Sequence, residues 1–411
     1  MSFTIAGLTG AGLRFGLLYG FPWALNYADV RHAHSHLMFF AWVTPAAMLL
    51  AGQALADRRR RLPGGATVAI AAAVMGLAAY LPFLTSGYRL TPLGDSELPL
   101  SMMASGLNGV VWYAFAALWW FASRRLRRDA VLRYFDGAVF LLVAASLGAV
   151  GLAWMGMSGA ENAALQASFV DFFLTLFADG WFGVAIVAGA LVATRRGAAT
   201  VPVATWPAAA LVTGLLLRSG SRLLADGLGW QWTAPFEAVG GVIAALAWLV
   251  AVVHVWPRRA GEGPTLLHVA LALLATKALA ELAMATPAGA AWVTANGLRV
   301  FLLHAFLLGA ISIGLVSAFR ARYGADAFRG ATAFALAVGL MLVSLLPLTG
   351  LWPPAYAGRW ALTFAAVAAL GPPLAAAVAA ASAVSARSAR SAVSAGAPAD
   401  EAAADEAASR R

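Results

Sequence analysis

Apolar stretches of about 20 residues follow one another along nearly the whole chain, and they constrain the fold more than any other feature. Twelve can be laid out, at 5–25, 33–55, 66–87, 99–122, 134–156, 168–193, 203–224, 236–256, 264–286, 297–319, 329–349 and 358–382. At a rise of about 1.5 Å per residue, such a helix crosses a hydrocarbon layer roughly 30 Å thick. The expected fold is an all-α polytopic membrane helical bundle of about twelve spans, one transmembrane domain over residues 1–382. Composition agrees, since 62% of the 411 residues are hydrophobic and 11% are charged. Soluble domains carry about a quarter charged residues.

The net charge of +10 reflects topology and gives no reason to expect a nucleic-acid partner. Connections after the even-numbered stretches hold sixteen arginines: Arg58 to Arg61, Arg124, Arg125, Arg127, Arg128, Arg133, Arg195, Arg196, Arg258, Arg259, Arg320, Arg322 and Arg329. The opposite connections hold five: Arg31, Arg89, Arg222, Arg299 and Arg359. The positive-inside rule then puts both termini in the cytoplasm of a bacterial-type inner membrane. No basic leader with a small-residue cleavage site precedes the first stretch, so no signal peptide is expected. Residues 383–411, rich in Ala and Ser with mixed charge, read as a disordered cytoplasmic tail. The chain has no cysteine, which excludes thiolate metal sites and iron–sulfur clusters.

An ionisable side chain at membrane depth is costly and by default marks a functional site. Asp171, Thr175 and Asp179 fall at i, i+4 and i+8 in the sixth stretch, a polar stripe that either carries protons or ions or bonds neighbouring helices, such as the seventh with Arg218. Lys277 and Glu281, also four apart, are expected to pair in the ninth. Arg14 stands alone in the first.

Three of the six histidines, His32, His34 and His36, open the second stretch, and His304 lies near the start of the tenth. Both stretches run in the same direction, so His34 and His304 can share one depth. Two neutral imidazoles on rigid helices meet the needs of axial haem ligation, and Phe39, Phe40, Ala41, Phe306 and Gly309 would suit a flat macrocycle. The blander account is that each histidine hydrogen-bonds another helix in a wet vestibule. His32 and His36, four apart, share a face and could also hold zinc or copper.

HSHLMFFAW (His34 to Trp42), LLHAFLLGAISIGLV (Leu302 to Val316) and TLFADGWFGVAIVAGAL (from Thr175) together resemble helices 2, 10 and 6 of haem–copper oxidase subunit I, above all the C-family oxidases and the nitric oxide reductase large subunit. The resemblance implies an oxidase subunit I-like bundle with His34 and His304 as axial ligands of one low-spin haem b. His36 and His32 would lie around that ligand or in the vestibule, with the choice between His34 and His36 as ligand left open, and Arg31, Arg299 and Arg359 would meet the haem propionates. The family's ligands to its dinuclear centre are missing. Leu302 stands where it has the high-spin haem histidine, Thr175 where it has the helix 6 histidine, and LVTGLLLRSGSRLLADG contains no histidine at all. A terminal oxidase activity is therefore not expected, and neither is copper.

The function implied is electron transfer, or redox or gas (nitric oxide) response, with membrane lipid and a redox partner protein or quinone as partners. Two alternatives stay open. One is a proton- or ion-coupled small-molecule transporter built on the charges of the sixth and ninth stretches. The other is a cofactor-free partner protein of the same shape.

Overall fold

The structure is a computed structural model that describes residues 1–194, 204–257, 265–324 and 328–382. Arg195, Arg196, Arg258, Arg259 and the tail from 383 lie outside the described residues. Helices follow the apolar stretches: α1 (Ser2–Tyr19), α2 (Tyr27–Ala56), α3 (Gly65–Ser86), α4 (Leu100–Ser123), α5 (Ala130–Ser158) and α6 (Ala163–Thr194). They continue as α7 (Trp206–Leu228), α8 (Gln231–Val255), α9 (Thr265–Met284), α10 (Arg299–Tyr323), α11 (Ala331–Leu348) and α12 (Arg359–Ser382). A short helix, Pro287–Ala295, precedes α10. One antiparallel hairpin, β1 (Thr91–Leu93) with β2 (Ser96–Leu98), links α3 to α4.

Among the described residues, eleven helices, α2 to α12, are long and apolar enough to cross a membrane. This is a multi-pass all-α membrane bundle. The remaining expected span is α1, which ends at Tyr19 rather than at 25. A turn through Gly20, Trp23 and Ala24, all at positive φ, then reverses the chain. Arg14 is the residue that most depresses its hydropathy.

Local chemistry sets the helix starts. Asn26, Asp129 and Asn162 each accept a hydrogen bond from the backbone N–H three residues on, capping α2, α5 and α6. Each such cap is worth about 1 kcal/mol. Asp29, buried in the first turn of α2, pairs with Arg89 beyond α3 at 2.6 Å. Two residues read as connections belong to α7: Arg222 and Asp226 lie inside a helix that runs on to Leu228.

Three helices form the interior. The most apolar windows of α2, α6 and α10 are 78%, 94% and 67% buried, whereas no other span exceeds 50%. The same three helices are interrupted by π-helical segments, Leu37–Val43, Thr175–Gly183 and Ala305–Ile313. Such turns occupy well under about 1% of residues in ordinary proteins and gather at functional sites. Counting back nine residues from the last residue of each segment gives His34, Leu174 and His304. Two of the three inner helices thus carry a histidine at the same place relative to their irregular turn.

Candidate functional site

The histidine site is built by α1, α2 and α10. Trp42 Nε1 donates to Ser312 Oγ at 3.2 Å, and Gln53 Nε2 donates to Tyr323 Oη at 2.9 Å. Each pair is 270 residues apart, as are His34 and His304. A constant offset over these contacts means that α2 and α10 run parallel and in register, which sets the two histidines at one depth. They lie eight residues, or roughly 12 Å of helix, before the Trp42–Ser312 contact.

Each imidazole is held by its Nδ1. In His34 that atom lies 2.7 Å from the Ala6 carbonyl of α1, and in His304 it lies 2.7 Å from the Val300 carbonyl. A carbonyl only accepts, so in the neutral ring Nδ1 carries the hydrogen and Nε2 keeps a lone pair. Metal-binding histidines are oriented in this way. The His34 ring lies so close to α1 that a Cβ at position 10 would sit 2.7 Å from its Cε1, so Gly10 is what lets it approach. One turn on, half-buried Arg14 donates to the Gly10 carbonyl at 3.2 Å and lies within electrostatic range of both histidines.

The neighbouring histidines turn away. His36 makes the same Nδ1 bond as His304, to the His32 carbonyl at 2.8 Å, and what sets it apart is its ring, which stacks on Phe83 of α3 at 3.8 Å. His32 packs edge-on to Tyr88 at 4.7 Å. The Phe83 and Tyr88 rings lie 5.1 Å apart, so His32 and His36 share one side of the helix, and among the described residues no group of three His, Asp or Glu side chains could hold a metal ion.

Phe39 and Phe40, read as suiting a macrocycle, take part in the central packing. Phe39 and Phe40 meet Phe177 at 6.1 and 5.5 Å, Phe39 meets Phe182 at 5.5 Å, and Phe40 meets Trp112 of α4 at 5.3 Å. Gly309 faces Leu273 of α9. Arg31 and Arg299 are exposed; Arg31 lies over the Tyr27 ring, and Arg299 donates to Thr294 Oγ1 at 3.2 Å. Arg14, which the sequence marked only as a lone intramembrane charge, is the arginine beside the histidines.

A second site joins α6, α7 and α9. Lys277 Nζ lies 2.6 Å from Glu281 Oε1 and 3.1 Å from Asp179 Oδ2, and Arg218 Nη1 donates to the same Glu281 oxygen at 3.0 Å. Nearer the start of α6, Arg222 bridges Asp171 at 3.6 Å and Asp226 at 3.8 Å, and Ser168 donates to Asp226. Lys277 also sits 4.7 Å from the centre of the Phe306 ring, so this ladder of charges reaches the π-helical segment of α10. The expected Lys277–Glu281 pair is present. Arg218 serves Glu281, while Asp171 is served by Arg222, and no hydrogen bond joins Thr175 to the ladder. The helix is π-helical from Thr175 on, so the i, i+4, i+8 spacing no longer aligns three side chains along one α-helical face.

In the inner set, two carboxylates and two cations balance: Asp179 and Glu281 against Lys277 and Arg218. Burial makes each charge depend on its partners, because an isolated ion at membrane depth is costly. The arrangement can store or relay a proton, and it ties α6, α7 and α9 together.

No protein-family model matches the chain, and no curated protein matches it.

Proposed function

We propose that the chain is a membrane b-type cytochrome-like protein, akin to a divergent haem–copper oxidase subunit I, in which His34 and His304 ligate one low-spin haem between α2 and α10. One observation carries the reading: two histidines at equal depth on parallel helices, each with Nδ1–H tied to a carbonyl and the Nε2 lone pair left free to bind a metal. Two neutral imidazoles fit the axial positions of haem iron. Such a haem supplies one-electron transfer. The Ala6 and Val300 carbonyls orient the rings, Gly10 gives His34 its place, and the Arg14 guanidinium offers a counter-charge to a carboxylate brought beside it. Electron transfer or a redox or nitric oxide response, in a bacterial-type inner membrane with both termini cytoplasmic, follows from this reading and from the arginine bias of the connections. The redox partner is a protein or a quinone. Haem content of the detergent-purified chain tests the proposal: about one haem b per chain is expected, and a colourless protein from haem-replete cells would overturn it.

The charge ladder favours a second reading, proton or ion coupling along α6, α7 and α9. Proton flux into dye-loaded liposomes holding the protein tests it. Loss of flux in Asp179→Asn, with folding kept, is the expected result; unchanged flux would make the ladder structural.

A further inference from the structure

Beyond both sites, the arginine-rich end of the bundle contains a hollow of about 350 Å³ between the α2–α3 connection and the end of α4. Arg59, Arg60 and Arg61 line one side of it, and Leu118 and Phe121 line the other. The backbone puts the arginines there. The Arg60 N–H bonds the Leu55 carbonyl at 3.0 Å and the Arg59 N–H bonds that of Ala56 at 3.0 Å, so α2 ends in a paired reversal that needs a left-handed residue at position 59. Glycine is the favoured residue there, yet the position holds an arginine at φ 57°. A cation thus stands where the backbone conformation favours glycine.

The nearby carboxylates are already taken. Asp129 holds Arg58 at 2.5 Å and Asp136 holds Arg128 at 2.8 Å. Arg59, Arg60 and Arg61 have no ion-pair partner among the described residues. On the apolar side, Trp120 and Phe121 are 59% and 63% exposed on an α4 face that a spanning helix turns toward lipid. Arg124 lies over the Phe121 ring at 5.2 Å.

Three unpaired guanidiniums beside an apolar wall that continues along a membrane helix fit one kind of molecule, an anionic amphiphile. We propose that this hollow binds the phosphate head of an anionic glycerophospholipid of the surrounding bilayer, with its acyl chains along Leu118 and Phe121.

The test is native mass spectrometry of the full chain in neutral detergent, titrated with phosphatidylglycerol, phosphatidylcholine or inorganic phosphate. The expected result is selective retention of phosphatidylglycerol, weakened at least tenfold in an Arg59→Gln, Arg60→Gln, Arg61→Gln variant. It should be unchanged in Arg125→Gln, Arg127→Gln, which removes two charges that do not line the hollow. Arg59→Gly should raise thermal stability while weakening phosphatidylglycerol, which separates lipid binding from folding. Three results overturn the proposal: equal retention of phosphatidylcholine, equal loss in the two variants, or displacement of the lipid by inorganic phosphate at equal concentration. The last would mark a site for free anions.

Discussion

Trp42 of α2 donates from Nε1 to Ser312 Oγ of α10 at 3.2 Å, and these residues are separated by the same 270 positions as His34 and His304. The contact pins the register of two inner helices just below the histidines, and that register gives the pair its common depth. Trp42→Phe keeps the ring and removes the donor. Ser312 Oγ keeps its bond to the Leu307 carbonyl at 3.0 Å, so the loss is expected to be modest, about 1 kcal/mol. Thermal unfolding in detergent reads it, and a loss several times larger would show that the contact does more than align the helices.

Gly10→Ala places a methyl group 2.7 Å from His34 Cε1. The ring must move or α1 must retreat, at a cost of about 1–3 kcal/mol. Haem content, if His34 is an axial ligand, should fall together with thermal stability. Gly12→Ala is the comparison, because no atom lies within 4 Å of its added methyl. That variant should match the wild type in both measurements.

Lys277→Met leaves Asp179 and Glu281 buried with Arg218 as their one remaining cation. Removing one member of a buried ionic set costs about 3–5 kcal/mol, and a clear fall in melting temperature is expected. Adding Asp179→Asn removes one charge of each sign and spares the Arg218–Glu281 pair at 3.0 Å. The double variant should therefore be more stable than Lys277→Met alone. If it is less stable, Asp179 has a partner that the ion pairs do not reveal.

Much of this bundle could be read from the chain because a run of about 20 apolar residues has few places to go except across a membrane. The π-helical segments could not. LMFFAWV, TLFADGWFG and AFLLGAISI contain ordinary apolar residues, and nothing in them announces an extra residue in the turn. α7 runs on to Leu228, past the expected end, for a related reason. Arg222 and Asp226 look like connection residues until Asp171 on α6 is seen to complete their charge, and that partner lies far away in sequence. The pairing of Lys277 with Glu281 was legible because it is local, one turn along a helix. Phe39 and Phe40 join the central packing, and their direction is set within the π-helical turn that follows His36. That His34 and His36 cannot serve one site was legible, since they are two residues apart and an α-helix sends them to different faces; which of them faces α1 comes only from the fold.

The central claim rests on those two faces, and a reduced-minus-oxidised visible spectrum of the purified chain tests it most directly, beside His34→Ala, His304→Ala and His36→Ala. The account predicts sharp low-spin haem bands in the wild type and in His36→Ala, whose ring stacks on Phe83 at 3.8 Å instead of facing α1. The same bands should vanish in His34→Ala and in His304→Ala. Bands that survive either of those two substitutions, or that disappear with His36, would contradict it.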